Sequence, residues 1–238
     1  MQDIRAISIV IPVYMEADNI RDAVNNVLWA LNASKIEDYE LLIIDCLRKD
    51  GSHDGTPETA EALAKENARI RVFHNSYINL GAKYWMGVNN AKFPYITLVP
   101  GDNELAKEAL RDILIHIGEA DVLVSYPVNT EIRPLARRFL SKTYVVLVNI
   151  STGLNLKYYN GSCVHKVEML KEIKDRNDNL VYMAKLLVQL IKKGCSYKEV
   201  PIYLQERKGK PSVLTLSNFL SVGRSIFNLF WQYRILKG

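Results

Sequence analysis

Along the first half of the chain, short apolar runs alternate with stretches in which apolar residues recur every three or four positions. Ala6–Val13 (AISIVIPV) is rich in β-branched residues and predicts a strand buried on both faces. Ile20, Ala23, Val24, Val27, Leu28 and Leu31 then share one face of a helix over Glu16–Ala33. The pattern repeats with strands at Glu40–Ile44, Ile70–Phe73, Tyr95–Val99 and Asp121–Ser125. Between them, helices are expected from Thr56 to Asn67, over Gly81–Ala91 and over Leu105–Ile117. At Thr56-Pro57 the expected start is a threonine cap followed by proline at the first helical position. Strand–helix alternation with short links specifies an α/β fold, a parallel sheet covered by helices on both faces.

The second half is less regular. Helices are expected over Pro134–Ile150 and over Asn179–Lys193, the latter ended by Gly194. Gly161–Val164 reads as a strand, and Glu199–Ile202 as an edge strand because Pro201 lacks a ladder donor. Gln205–Ser212 (QERKGKPS) is a basic loop. Ser217–Lys237 closes the chain with an apolar stripe at Phe219, Leu220, Gly223, Ile226, Phe227 and Phe230.

Composition narrows the class. The chain has 238 residues, 48% hydrophobic and 24% charged, enough for one globular domain with a sizeable core. A net charge of +5 favours an anionic partner. Cys46, Cys163 and Cys195 are odd in number and far apart, which argues for a reducing compartment and against a disulfide framework. No cysteine or histidine pair has zinc-ligand spacing. The basic residues are not interleaved with aromatics, so nucleic acid ranks last among partners. Without a secretory h-region or a long apolar span, a cytoplasmic chain that does not cross the membrane is expected.

The candidate chemistry gathers where strands end. Tyr95–Val99 stops at Pro100-Gly101, and Asp102, Asn103 and Glu104 follow at once. Two carboxylates at the carboxyl end of a buried strand lie where open α/β sheets bind ligands. Hard oxygen donors there suit Mg²⁺ or Mn²⁺ shared with a phosphate, and a solvated acidic turn is the plainer alternative. Asp45, Asp50 and Asp54 follow the second strand, and Asn79 and Gly81 the third. Several such turns on one sheet edge make a pocket. Neither GxxxxGK[ST] nor GxGxxG is present to supply a phosphate loop.

Four segments carry a family resemblance. SIVIPVYMEADNI resembles the opening of glycosyltransferase family 2 with its GT-A fold, and DGSHDGT resembles that family's DDGSxDGT loop. NLGAKYWMGVNNA is similar to the Gly-rich segment before its DxD strand, and KEVPIYLQERKGKPS to a stretch of its dolichol-phosphate mannose synthase-like branch. The likeness spans residues 6–214. It implies a single GT-A domain, Rossmann-like with a mostly parallel sheet flanked by helices, over residues 1–214, followed by a C-terminal amphipathic helix at 215–238. The implied activity is inverting transfer of a hexose from a UDP- or GDP-sugar to a polyprenyl phosphate, with Mg²⁺ or Mn²⁺.

By position, the resemblance implies that Pro12, Tyr14, Glu16 and either Asp45 or Asp50 hold the nucleoside, with Lys83 of the Gly-rich segment also on the nucleotide-sugar. Asp102 matches the second aspartate of DxD, and Glu104 a metal-binding glutamine, so the pair would hold the metal. Arg207 and Lys210 would cover the diphosphate, Asp102 and Arg207 being the catalytic pair. Arg137 and Ser141 correspond to acceptor-phosphate contacts.

Departures from the pattern carry information. Pro100 stands at the first DxD aspartate, CLRK separates Asp45 from Asp50, and Lys157 and Lys185 occupy positions where relatives carry acids. A sugar-hydroxyl acceptor calls for a general base, whereas a lipid phosphate is already ionised near neutral pH. The missing acids therefore point to a phosphate acceptor or to a silent protein that keeps the fold. A glycan-extending transferase acting on a sugar hydroxyl is the third reading. The tail stripe, with Trp231, Arg224, Arg234 and Lys237, fits an interfacial helix on the inner membrane face or a helix packed on the domain or on a second subunit.

Overall fold

The structure, a computed structural model, describes residues 5–76, 78–176, 178, 181–204, 223–224 and 226–235. Seven strands form one sheet in the order β3-β2-β1-β4-β6-β5-β7. They are β1 (Ile7–Val13), β2 (Tyr39–Cys46), β3 (Ile70–Asn75), β4 (Tyr95–Leu98), β5 (Val122–Pro127), β6 (Val164–Lys166) and β7 (Tyr197–Ile202). Only β6 runs antiparallel, against both β4 and β5. The carboxyl ends of the other six strands therefore share one edge, together with the chain that leads into β6.

Helices α1 (Ile20–Ala33), α2 (Thr56–Glu66), α3 (Leu80–Asn90), α4 (Lys107–Leu114), α5 (Leu135–Thr152), α6 (Val167–Lys171) and α7 (Tyr182–Lys192) cover the faces. The period-two alternation of the strands separates two cores. Ile7, Ile9, Ile11, Leu41 and Ile43 pack with α1, α2 and α4, while Val10, Leu42 and Ile44 pack with α3, α6 and α7. Helix α3 lies so close to β1 that a Cβ on Gly87 would sit 2.2 Å from Val10 Cγ2, which excludes any larger residue. Among the described residues, no helix is long and apolar enough to cross a membrane.

Three local expectations are corrected. The cap of α2 is Gly55, at φ 100°, and Thr56 is the first helical residue; glycine wins because that backbone geometry excludes a β-branched side chain. The strand expected at Gly161–Val164 is β6, Val164–Lys166. Gly161 is instead pressed against Ser125, where a Cβ would lie 2.4 Å from the carbonyl oxygen. Helix α1 begins at Ile20 rather than Glu16, because Met15, at φ 58°, breaks the backbone after β1. The basic loop and, of the tail stripe, Phe219 and Leu220 lie outside the described residues.

Candidate functional site

The tip of β1 forms one wall of the shared edge. Tyr14 is exposed there, and beneath it the buried Lys83 ammonium donates to the Val13 carbonyl at 2.5 Å. Lys83 also sits 5.9 Å from the centre of the Tyr14 ring. A buried cation needs such partners, so Lys83 fixes the β1 tip while placing positive charge behind it. The turn after β1 is clasped by the DGSHDGT loop: Ala17 N donates to Asp54 Oδ2 at 3.1 Å, and Glu16 N to Thr56 Oγ1 at 2.8 Å. Thr56 in turn donates to Asp54 Oδ1 from both its hydroxyl and its amide. Burial pushes the Asp54 carboxyl upward, but these hydrogen bonds together hold it below the usual carboxylate range. Asp54 is one of the strand-end acids expected to line a pocket, and here it holds the turn after β1 through Ala17 and Thr56.

Asp45 and Asp50 part company in the fold. Asp45 pairs in register with Val13, has a side chain only 2% exposed, and lies 3.3 Å from His74 Nδ1 through Oδ2. Asp50 is exposed on its own turn, where hydrogen bonds from the Ser52 hydroxyl and amide lower its pKa. Only Asp45 is built into the sheet beside the β1 tip. Pro12 is the β1 residue opposite Ile44, and the Glu16 carboxylate accepts from Asn19 Nδ2 at 2.8 Å.

The β4 tip is held against β1. Val99 N donates to the Val10 carbonyl at 2.9 Å and Gly101 N to the Pro12 carbonyl at 3.2 Å. A Cβ on Gly101 would lie 2.4 Å from Val13 Cγ1, so glycine is required for this approach. Asp102 Oδ1 then accepts from Glu104 N at 3.1 Å, and Asn103, at φ 57°, accepts from Asn26 Nδ2 through Oδ1 at 2.8 Å. The turn is thus fixed with both carboxylates half-buried. Among the described residues no group of three or more His, Cys, Asp and Glu is placed to hold a metal. Mg²⁺-type ions bound beside phosphates need only one or two protein carboxylates, so the Asp102–Glu104 donor set fits such an ion when a diphosphate completes the shell.

Beyond β5 lies a cavity of about 630 Å³. Leu135, Phe139, Val145 and Val146 supply its apolar lining, and Arg133, Arg138, Lys142 and Lys157 its positive charge. Asn149 of α5 holds the facing loop through Leu156 N (3.1 Å), the Leu156 carbonyl (2.9 Å) and the Tyr159 hydroxyl (2.6 Å). Burial pushes the Tyr159 hydroxyl up to about 12, so it remains a donor. Arg133 Nη1 donates to the Tyr158 hydroxyl at 3.3 Å. The Lys157 amide donates to Glu199 at 2.7 Å, while its ammonium lies 4.3 Å over the Tyr126 ring. Glu199 also lies 3.9 Å from the Lys157 ammonium; among the described residues no carboxylate pairs with Arg138 or Lys142, and none lines the cavity.

Ser141 and Lys157 are on this lining, but Arg137, half-buried on the same helix, is not. Lys185 is elsewhere, 2.6 Å from Asp175. Arg207 and Lys210 lie outside the described residues. Sequence analysis gave no site role to Arg133, Arg138 and Lys142; the i, i+4 spacing of the last two was the available signal.

Residues 8–173 match the model of glycosyl transferase family 2. The glycosyltransferase AglD of Haloferax volcanii is 26% identical over 241 residues, covering 96% of this chain and 38% of that protein. The chain thus spans well under two thirds of that relative. Among solved structures, glucosyl-3-phosphoglycerate synthase from Mycobacterium tuberculosis, in complex with UDP, superposes with a TM-score of 0.68 at 15% identity, covering 96% of this chain and 79% of that one. The same enzyme has been crystallised with Mn²⁺, UDP-glucose and phosphoglyceric acid. TarS 1–349 of S. aureus, in complex with UDP-GlcNAc, gives a TM-score of 0.58 at 19% identity, with coverages of 95% and 66%.

Proposed function

The chain belongs to glycosyl transferase family 2, and we propose that it moves a hexose, with inversion, from a UDP- or GDP-sugar to a polyprenyl phosphate. The observation that carries this reading is the cavity beside β5, whose apolar lining carries Arg133, Arg138 and Lys142, with Lys157 paired to Glu199 behind it, and, among the described residues, no carboxylate on the lining itself. Such a lining suits a phosphate on a hydrocarbon chain and lacks the general base that a sugar hydroxyl requires. The assignment to the dolichol-phosphate mannose synthase-like branch is part of the same proposal.

On the donor side, Asp45 accepts from the nucleobase, Pro12, Tyr14 and Glu16 frame the nucleoside, and Lys83 adds charge behind the β1 tip. Asp50 contributes from its exposed turn. Asp102 and Glu104 are the residues that would hold Mg²⁺ or Mn²⁺, and the crystals of the mycobacterial synthase with Mn²⁺ support the use of a divalent ion. Such an ion, when bound, neutralises the charge that builds on a leaving diphosphate. Arg207 and Lys210 assist it from the loop outside the described residues.

On the acceptor side, Arg133, Arg138, Lys142 and Ser141 orient the phosphate, with Arg137 adding long-range charge. A phosphate oxygen attacks the anomeric carbon in line, and the bond between that carbon and the donor phosphate breaks, its electron pair leaving with the nucleoside diphosphate. No proton is transferred, because the acceptor is already ionised. The tail attaches the protein peripherally to the inner membrane face.

The test is incubation with UDP- and GDP-hexoses, Mn²⁺ and a short-chain isoprenyl phosphate that is soluble without a membrane. Formation of the glycosyl phosphate is expected. Transfer to a soluble saccharide instead would establish the glycan-extending reading, and failure of UDP and GDP to bind calorimetrically with Mn²⁺ would establish a silent scaffold.

A further inference from the structure

Helix α5 has two apolar faces, and only one is covered. Val148, Ser151 and Thr152 are buried against the domain. On the opposite side Leu135 (76% exposed), Phe139 (72%), Val146 and Ile150 (57%) form an outward stripe. Apolar residues on a second helix face ordinarily mark a second contact. At its carboxyl end, Arg234 of the tail donates to the Ile150 carbonyl at 2.9 Å. There Leu229 is buried in the core, while Phe227 and Trp231 remain exposed with ring centres 6.3 Å apart.

We infer that the outward face of α5, together with Phe227 and Trp231, is a docking surface for an anionic lipid bilayer. Charge complementarity selects this occupant. The 18 residues of α5 contain no Asp or Glu but carry Arg137, Arg138 and Lys142. After Glu206 the sequence has six cations and no carboxylate; the nearest acid before α5 is Glu131, in the short turn Thr130–Ile132. A second copy of the chain on this face would oppose like charges, whereas a leaflet of acidic lipid attracts them. Continuity with the cavity makes the same choice. Leu135, Phe139 and Val146 belong to both the exposed stripe and the cavity lining. An acceptor whose hydrocarbon chain stays in the bilayer can therefore present its phosphate to Arg138 and Lys142 without crossing water. This use of the surface rests on the polyprenyl phosphate reading; the docking itself is measured independently of it.

The experiment is co-sedimentation of the full chain with vesicles of phosphatidylcholine alone and of phosphatidylcholine with phosphatidylglycerol. The protein is expected to pellet with the anionic vesicles and to be released by salt. Leu147→Glu with Ile150→Glu, exposed positions off the cavity lining, is expected to weaken binding at least about tenfold. Circular dichroism and UDP binding are expected to stay unchanged in that variant. A parallel Phe227→Ser, Trp231→Ser variant should weaken binding by a smaller factor. Wild-type protein that stays in the supernatant, or a Glu variant that pellets like wild type, overturns the inference. So does light scattering that shows a dimer which the Glu substitutions convert to monomer. Transfer to the soluble isoprenyl phosphate separates the two ideas. If it persists while vesicle binding fails, only docking is lost; if vesicle binding is as expected but no phosphate is glycosylated, only the acceptor reading is lost.

Discussion

The two ends of the shared strand-tip edge are held by opposite means. Around the tips of β1 and β4 the backbone packs on itself: Gly101 leaves no room for a Cβ beside Val13, and Asp54 clasps the turn after β1. Around α5 the side chains carry the cavity, on a helix whose outward residues Leu135, Phe139 and Ile150 stay more than half exposed. The end proposed for the donor is preorganised by short-range contacts, so its geometry is expensive to disturb. The end proposed for the acceptor is defined by charge and apolar surface, so its chemistry can change while the fold stays. Substitutions at the two ends should therefore fail differently.

The largest effect is expected at Asp102. Asp102→Asn keeps the hydrogen bond that orders the turn through Glu104 N, because an amide oxygen also accepts, yet removes the negative charge. Turnover should fall at least about 100-fold with little change in thermal stability. Turnover at the wild-type rate would remove Asp102 from the site. On the proposed acceptor side, Arg138→Glu with Lys142→Glu reverses two charges that pair with no carboxylate among the described residues. The expected result is a rise in acceptor KM of about 10- to 100-fold, donor KM unchanged, because each charge-assisted contact contributes about 1.5–3 kcal/mol before solvent screening. A matching rise in donor KM would show that the two ends are not separable.

This division also explains what the sequence disclosed. The strands of the first half and their order of appearance were legible because buried parallel strands are continuous apolar runs, as in AISIVIPV and ELLII. The donor turns were legible because tight backbone geometry confines residue choice, so Gly101 and the DGSHDGT string leave local traces. The cap of α2 was misassigned to Thr56 because Thr-Pro has the cap pattern, while the left-handed backbone at Gly55 is a tertiary demand. Strand β6 was misplaced because its three residues, Val164–Lys166, are too few for a period to show. The cavity was legible only in part: Ser141, expected at the acceptor, lines it, but Arg137 does not. Arg138 and Lys142 share a helix turn, but Lys157 joins them only because Asn149 ties the loop after α5 back onto it. No local pattern marks such a closure.

A smaller effect tests the preorganised end by stability. Gly101→Ala would bring a methyl within 2.4 Å of Val13 Cγ1 and 3.2 Å of the Pro12 carbonyl. Either strand tip must shift, at a cost of about 1–3 kcal/mol by analogy with overpacked cores. Chemical denaturation should show that loss together with weaker UDP binding. An alanine tolerated without loss of stability would mean that the β1–β4 contact is looser than its geometry indicates.

The smallest effect isolates one side chain at the donor end. His74, on the edge strand β3, faces Glu61 at 2.8 Å through Nε2 and Asp45 at 3.3 Å through Nδ1. The hydrogen bond to Glu61 raises its pKa most; burial opposes this, and Asp45 adds to the rise. A histidine whose pKa is higher folded than unfolded stabilises the protein fully below the unfolded value, about 6.5, and loses that contribution as pH climbs through the folded value. The side chain is 42% exposed, so solvent screening limits the gain to about 0.5 kcal/mol. Compared with His74→Gln, the wild type should melt higher at about pH 5.5, the gap closing toward about pH 8.5. A gap that does not vary with pH would mean that His74 holds Asp45 as a neutral ring. Cavity-side variants such as Arg138→Glu should leave this pH dependence intact, because no residue of the cavity lining reaches the Glu61–His74–Asp45 set.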